Sequence, residues 1–326
     1  MPKLPYTDLV VNPIALGTGS LGVAQSETEA HRLLDHYCAL GGNFLDTARI
    51  YSDWIPGETG RSERIIGDWL RARSGRRNQV VLATKGLHYN LAEPTRPRVT
   101  EAAARHDLEC SLRALGVDAI DLYWLHRDDP AQPAEAIIEF MQVFVREGRV
   151  RHLGASNWSA ARLAAANRHA LSRGLAPFVA SQPLFNLGSW SLPPPADPTM
   201  VTLDRAAYDY HCRHACALIP YSSQAHGFFS RPTAAVAKPA ANPYATGPNL
   251  RLVPVVHALA RELGCSANQV VLAYLLHQQP LIVPIVGGHT SDQLDDSFGA
   301  LTVKLEAGQM DMLEGLAGSG LKHSAE

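Results

Sequence analysis

Three short apolar runs in this chain each close on an ionisable side chain: Asn43-Phe44-Leu45-Asp46, Val80-Val81-Leu82-Ala83-Thr84-Lys85 and Ile120-Asp121-Leu122-Tyr123-Trp124-Leu125-His126. A tyrosine, Tyr51, follows shortly after the first of them. A phenol with a pKa of about 10 is a poor acid at neutral pH unless something stabilises its anion. A lysine ammonium within hydrogen-bonding reach does so, and a carboxylate beside that lysine keeps it charged and in place. A histidine can add a hydrogen bond to a substrate oxygen or share the proton. Brought together, Asp46, Tyr51, Lys85 and His126 would protonate a carbonyl oxygen while hydride arrives at its carbon, or run the reverse. The chemistry needs no metal, and neither a metal-ligand spacing nor a Gly-x-Ser-x-Gly nucleophile turn is found in the chain.

Such a set requires the three runs to lie side by side. Buried parallel strands read as nearly continuous apolar runs, and barrel enzymes carry their chemistry where those strands stop. After a capping hairpin at 9–11, strands are expected over 14–17, 44–47, 80–84, 119–125, 150–154, 178–181, 218–221 and 282–285. Helices are expected over 27–40, 62–72, 100–115, 133–147, 160–172, 202–216 and 268–278, with Gly41-Gly42 and Gly116 as stops and Thr100 as a cap. This alternation fits an α/β fold, a (β/α)8 TIM barrel forming one domain over 1–326. A doubly wound sheet would use a Gly-x-Gly-x-x-Gly turn, and Gly17-Thr18-Gly19-Ser20-Leu21-Gly22 has that spacing. However, no acid closes a second strand at the required offset, and the helix begins late. The stretches 187–201, with Pro193-Pro194-Pro195, and 227–250 follow strand ends and are expected as long loops, acting as lids over the C-terminal mouth.

The formal net charge of -2 gives no electrostatic case for nucleic-acid or membrane-surface binding. No apolar run approaches the roughly 20 residues that span a bilayer. Met1-Pro2-Lys3-Leu4-Pro5-Tyr6 lacks the apolar core of a secretory signal, so a cytoplasmic location is expected. The five cysteines include no Cys-x-x-Cys pair, which argues against a disulfide framework. His211, Cys212, His214 and Cys216 cluster, but on a helix the two pairs face different ways and cannot surround one ion.

The stretch Gly42-Asn43-Phe44-Leu45-Asp46-Thr47-Ala48-Arg49-Ile50-Tyr51, continued by Gly60-Arg61-Ser62-Glu63-Arg64-Ile65-Ile66-Gly67, is similar to the signature of the aldo-keto reductases. Ala83-Thr84-Lys85 and Asp121-Leu122-Tyr123-Trp124-Leu125-His126 match the next two motifs, and the resemblance extends over nearly the whole chain. It implies that Tyr51 is the general acid/base, that Lys85 and Asp46 favour its ionised form, and that His126 orients the carbonyl. It also implies a nicotinamide cofactor, NADP by default and NAD as an option. Gly154-Ala155-Ser156-Asn157 resembles the family's contact to the nicotinamide carboxamide, with Gln182 as a third partner, and Tyr221 matches the aromatic that stacks on the ring. Ser222, Gln224, Gly227 and Phe228 to Ser230 would line the pyrophosphate, with Gly17, Thr18, Gly19 and Asp46 bordering the same ligand.

After the eighth strand, Gly287, Gly288, His289 and Gln293 stand where the family often presents lysine or arginine to the adenosine 2'-phosphate. Arginine holds phosphate bidentately and neutral histidine does not. Asp292, Asp295 and Asp296 add negative charge nearby. Trp54 and Trp190 are expected as substrate walls, with His88 and Tyr89 polar enough to meet a hydroxylated substrate. Trp124 reads equally as core, and Arg127-Asp128-Asp129 as a loop ordered by its own ion pairs.

The expected activity is NAD(P)H-dependent reduction of an aldehyde, ketone or sugar carbonyl. One rival is an NAD-dependent sugar or alcohol dehydrogenase using the same residues. Others are a cofactor-sensing, non-catalytic subunit of another assembly and a metal-dependent barrel hydrolase.

Overall fold

The computed structural model describes residues 1–23, 25–94, 96–236 and 242–321. Eight strands follow one another around a parallel sheet: β1 (Ala15–Gly17), β2 (Phe44–Asp46), β3 (Val81–Gly86), β4 (Ile120–Leu125), β5 (Val150–Ser156), β6 (Phe178–Gln182), β7 (Ala217–Leu218) and β8 (Ile285–Val286). β8 pairs back onto β1, and Leu218 of β7 bridges Ile282 through two backbone hydrogen bonds, which closes the ring. This is the (β/α)8 architecture. β7 and β8 are shorter than the apolar runs 218–221 and 282–285, and β8 starts later. Pro220 and Pro284 interrupt those runs; a proline has no N–H to continue a ladder, so each contributes only its carbonyl, Pro220 to Ile285 and Pro284 to Ala15.

The helices are α1 (Glu27–Ala39), α2 (Arg61–Arg71), α3 (Glu101–Leu115), α4 (Ala134–Arg146), α5 (Ala160–Ser172), α6 (Arg205–Arg213), α7 (Thr233–Val236), α8 (Gly247–Leu263), α9 (Ala267–Leu276), α10 (Ser291–Gly299) and α11 (Ala307–Ala317). Their starts follow local chemistry. Ser26 and Glu29 form a capping box on α1, and Thr100, Ser159, Asp204 and Thr290 each accept a first-turn N–H. The helix expected over 202–216 begins only at Arg205, because Thr202 is held in extended form beside Leu184 and Asp204 is the cap. The hairpin expected at 9–11 is a single antiparallel bridge, Lys3 to Val10. It suffices to seat Leu4, Leu9 and Val11 against Ala15, Phe44 and Val81, plugging the N-terminal end of the barrel.

Inside the ring, Phe44, Leu122, Trp124, Ala180 and Ile219 fill the interior, while Tyr123 and Leu125 of the same β4 face the helices. The period of two along a strand decides this split. It also settles Trp124, which is fully buried barrel core. β5 can cross its indole only as glycine: a Cβ on Gly154 would come within 2.3 Å of the ring. The stretch expected as one long loop over 227–250 contains α7 and the start of α8, with 237–241 outside the described residues. No helix among the described residues is long and apolar enough to cross a membrane.

Candidate active site

The registers Asp46 to Ala83, Lys85 to Trp124 and Gly86 to Leu125 bring the ends of β2, β3 and β4 level at one rim. Tyr51 reaches the same place from the turn after β2, where Ser52 takes a left-handed φ of 75°. Lys85 is fully buried and its three ammonium protons are all placed. One goes to the Asp46 carboxylate, one to Thr47 O at 2.8 Å and one to the Tyr51 hydroxyl at 3.1 Å. The other Asp46 oxygen accepts from Gln182 Nε2 at 3.0 Å. Burial works against the lysine's charge, but Asp46 and Tyr51 outweigh it and hold the ammonium above its ordinary pKa.

His126 stands edge-on to Tyr51, 6.1 Å between ring centres, and its backbone N–H is tied to Gly86 O. Burial first, then the neighbours His88, Arg127 and Lys85, push its pKa well below the usual histidine value. It is therefore neutral at pH 7. Its Nδ1 is buried and has no hydrogen-bond partner among the described residues. A bare lone pair there costs less than an enclosed, unpaired N–H, so the proton belongs on Nε2, a donor.

His88 packs 4.7 Å from the His126 ring centre, and Trp54, half exposed, lies 6.4 Å from Tyr51. Trp190 is elsewhere, contrary to the expectation that it walls the substrate. Its indole N–H donates to the Tyr274 hydroxyl at 3.0 Å, and its ring packs on Phe185 and Tyr208 in the second apolar cluster. Arg127 bonds to His126 O at 3.0 Å, but its ion pair is with the proline-rich stretch and not with its own loop: it reaches Thr199 at 2.7 Å and Asp197 at 3.2 Å. Tyr89 donates to the same Asp197 carboxylate, and Asp128 pairs with Arg162 of α5. Asp197 and Thr199 are thus tied to the loops after β3 and β4.

On the other side of Tyr51, whose ring lies 3.6 Å from where a Gly19 Cβ would sit, a cleft of about 890 Å3 runs toward the N-terminus of α10. Gly17, Gly19, Ser222, Gln224, Gly227, Ser230, Gly287, Gly288, His289, Gln293 and Asp296 line it. Ser223, Arg231 and Asn268 line it too and were not foreseen. Two expected residues turn away. Thr18 is buried and bonds to Asp46 O and Ser62, while the Phe228 ring packs on Phe229 and Tyr244 in the core. Gln224 accepts from Gly287 N–H at 2.9 Å, Gln293 from His289 N–H at 2.7 Å, and Asp296 from Asn268 at 2.8 Å, so these side chains shape the wall they line.

Ser156 donates to Gln182 O at 2.9 Å. The Asn157 amide is fully engaged. Its nitrogen donates to His126 O and Ser156 Oγ, and its oxygen accepts from Val201 N–H and the Tyr221 hydroxyl. A ligand contact from this amide needs one of those bonds exchanged. The non-glycine residues at positive φ include Ser52, Leu87, Asn157, Ser222, Ala225 and His226, all in loops leaving the same ends of β2, β3, β5 and β7. Backbone strain collects where a site is held in a set geometry.

The sequence reading also passed over Glu63, which lies on the inner face of α2 in line with Ile66 and Leu70. That helical spacing was the available signal. It is fully buried, accepts from Thr84 Oγ1, and its Oε2 has no hydrogen-bond partner among the described residues. The His/Cys cluster serves the barrel wall: His211 bonds Ser181 Oγ at 2.7 Å and Cys216 O at 2.8 Å.

A family model described as the aldo/keto reductase family matches residues 13–317. An aryl-alcohol dehydrogenase from Pestalotiopsis microspora is 28% identical, the alignment covering 95% of this chain and 80% of that one. A norsolorinic acid reductase from Emericella nidulans is also 28% identical, covering 92% and 77%. Among solved structures, the thermostable aldo-keto reductase Tm1743, crystallised with the inhibitor epalrestat, superposes with a TM-score of 0.73. The match covers 97% of this chain and 98% of that one at 22% identity, a likeness of fold.

Proposed function

We propose, for a chain that belongs to the aldo/keto reductase family and is thereby an NAD(P)-dependent oxidoreductase acting on carbonyl groups, that Tyr51 is the proton donor in reduction of an aldehyde or ketone. The observation that carries this reading is the hydrogen bond from Lys85 to the Tyr51 hydroxyl, made while the same ammonium is anchored on buried Asp46. When bound, a reduced nicotinamide supplies hydride to the carbonyl carbon. Tyr51 passes its proton to the carbonyl oxygen, and the ammonium holds the negative charge left on the phenol. Asp46 and Thr47 O aim the ammonium, and Gln182 aims Asp46. His126, donating from Nε2, fixes the direction of the carbonyl. Run backwards, the same residues oxidise an alcohol. The names of the two relatives, a dehydrogenase of aryl alcohols and a reductase, span both directions and suggest an aromatic carbonyl among the substrates.

The long cleft beside Tyr51 suits a dinucleotide: glycines at 17, 19, 227, 287 and 288 let a ligand approach backbone, and a Cβ at Gly287 would meet open space. Among the described residues its wall carries one fixed cation, Arg231, against Asp292 and Asp296. NADP(H) is the family's usual partner, yet this charge set favours NAD(H), which lacks the 2'-phosphate. The direct test is Tyr51→Phe. Loss of the general acid should cut carbonyl turnover by roughly 10²–10⁴-fold, while cofactor affinity, read by fluorescence titration, stays close to that of the parent. Turnover retained by the variant would remove Tyr51 from this role.

A further inference from the structure

Next to Lys85 a second cavity, of about 340 Å3, opens between the loops after β2 and β3 and the start of α3. Arg49, Asp53, His88, Asn90, Arg98 and His106 line it. Ligand pockets are usually mostly apolar, so a wall this polar marks a polar guest. Its charges cancel locally: Arg49 pairs with Asp53 at 2.8 Å and Arg98 with Asp107 at 3.1 Å. The cavity therefore offers dipoles and hydrogen bonds rather than a net charge, and an anionic guest would gain little there.

His88 sits between this cavity and the tetrad. Its Nδ1 lies 2.9 Å from Tyr89 O, and a carbonyl only accepts, so Nδ1 carries the proton. Burial, and then Arg127, hold the ring to a pKa of about 4, leaving it neutral near pH 7. Nε2 is therefore a bare lone pair, able to accept and unable to donate. Neighbouring His126 offers the opposite, a donor for the substrate's carbonyl oxygen. A donor and an acceptor on two rings 4.7 Å apart match a carbonyl with a hydroxyl beside it.

Resting on the carbonyl-reductase reading, we propose that His88 determines specificity at this site: it selects neutral carbonyl compounds bearing a hydroxyl next to the carbonyl, accepting a hydrogen bond from that hydroxyl at Nε2. A substrate without the hydroxyl leaves the lone pair unmet in a partly enclosed place, and sites built around a hydrogen bond discriminate on that ground.

The experiment compares kcat/KM for glyceraldehyde, propanal and glyceraldehyde 3-phosphate, in the parent protein and in His88→Phe and His88→Gln. The parent should prefer glyceraldehyde over propanal by about tenfold and should gain nothing from the phosphate. His88→Phe should bring the glyceraldehyde-to-propanal ratio close to one. His88→Gln, which keeps an acceptor oxygen, should retain part of the preference, and cofactor titration establishes that each variant is folded. Equal use of glyceraldehyde and propanal by the parent, a preference surviving in His88→Phe, or better use of the phosphate overturns the proposal while leaving the reductase reading intact. Failure of the parent to reduce any aldehyde with either nucleotide overturns both.

Discussion

Replacing Lys85 with methionine tests the architecture of the site by stability as well as by rate. Asp46 and Lys85 are both about 1% exposed, and apart from Lys85 the Asp46 carboxylate accepts one side-chain hydrogen bond, from Gln182. Lys85→Met leaves that carboxylate buried without its cation, a change that costs roughly 3–5 kcal/mol. Unfolding entropy of about 2.1 cal/mol/K per residue, taken over 326 residues, is about 0.7 kcal/mol/K. The melting temperature should therefore fall by roughly 4–7 °C. Adding Asp46→Asn removes the stranded charge, so the double variant should melt above Lys85→Met alone even though it has lost more of the native site. Calorimetry or fluorescence-monitored melting reads both. Single-turnover hydride transfer should fall by roughly 10²–10⁴-fold in Lys85→Met, because the phenol loses its cation. If Lys85→Met melts with the parent, or if the double variant is no more stable than the single, the ion pair is not what holds this rim together.

Glu63 and the buried histidines give stability opposite dependences on pH. Burial pushes the Glu63 carboxyl up to about 7, against the hydrogen bond from Thr84, so between the ordinary glutamate value and about 7 the folded chain holds a proton the unfolded chain has released. That contribution is present in acid and lost as pH rises through about 7. Glu63→Gln, neutral throughout, should match the parent below the ordinary glutamate range and melt higher at mildly alkaline pH; a lower melting point there would refute the assignment. His88 and His211, held neutral to about 4, act the other way: their contribution is lost as pH falls from the ordinary histidine value toward about 4. At the cleft beside Tyr51, the parent should bind NADH at least as tightly as NADPH. His289→Arg should improve NADPH binding by roughly ten- to a hundredfold with little effect on NADH. A strong preference of the parent for NADPH would show that Arg231 and the α10 N-terminus suffice for the 2'-phosphate.

Much of the barrel could be read from the chain because local rules and tertiary packing agree. Thr100 and Gly116 mark the ends of α3 where the structure places them, and the runs ending at Asp46, Lys85 and His126 are apolar because strands inside a barrel are covered on both faces. Legibility failed where a residue's role depends on a partner far away in sequence. Trp190, placed by its loop among the substrate walls, meets Tyr274 of α9 instead. Phe228 belongs to a loop that borders the cleft, yet its ring turns into the core. Arg127 has acids as chain neighbours but bonds to Asp197, seventy positions on.

The four residues proposed to handle the proton could therefore be named from the sequence alone, since each ends a strand or follows one, and parallel neighbours must finish at a common rim. What those residues can do was decided by the fold. The sequence cannot say that the three protons of Lys85 are divided among Asp46, Thr47 and Tyr51, because that division needs a buried geometry in which no water competes. Nor can it say that His126 and His88 are both neutral, one a donor and the other an acceptor. Charge state and tautomer follow from desolvation and from which atoms are already bonded, and both exist only once the chain is packed.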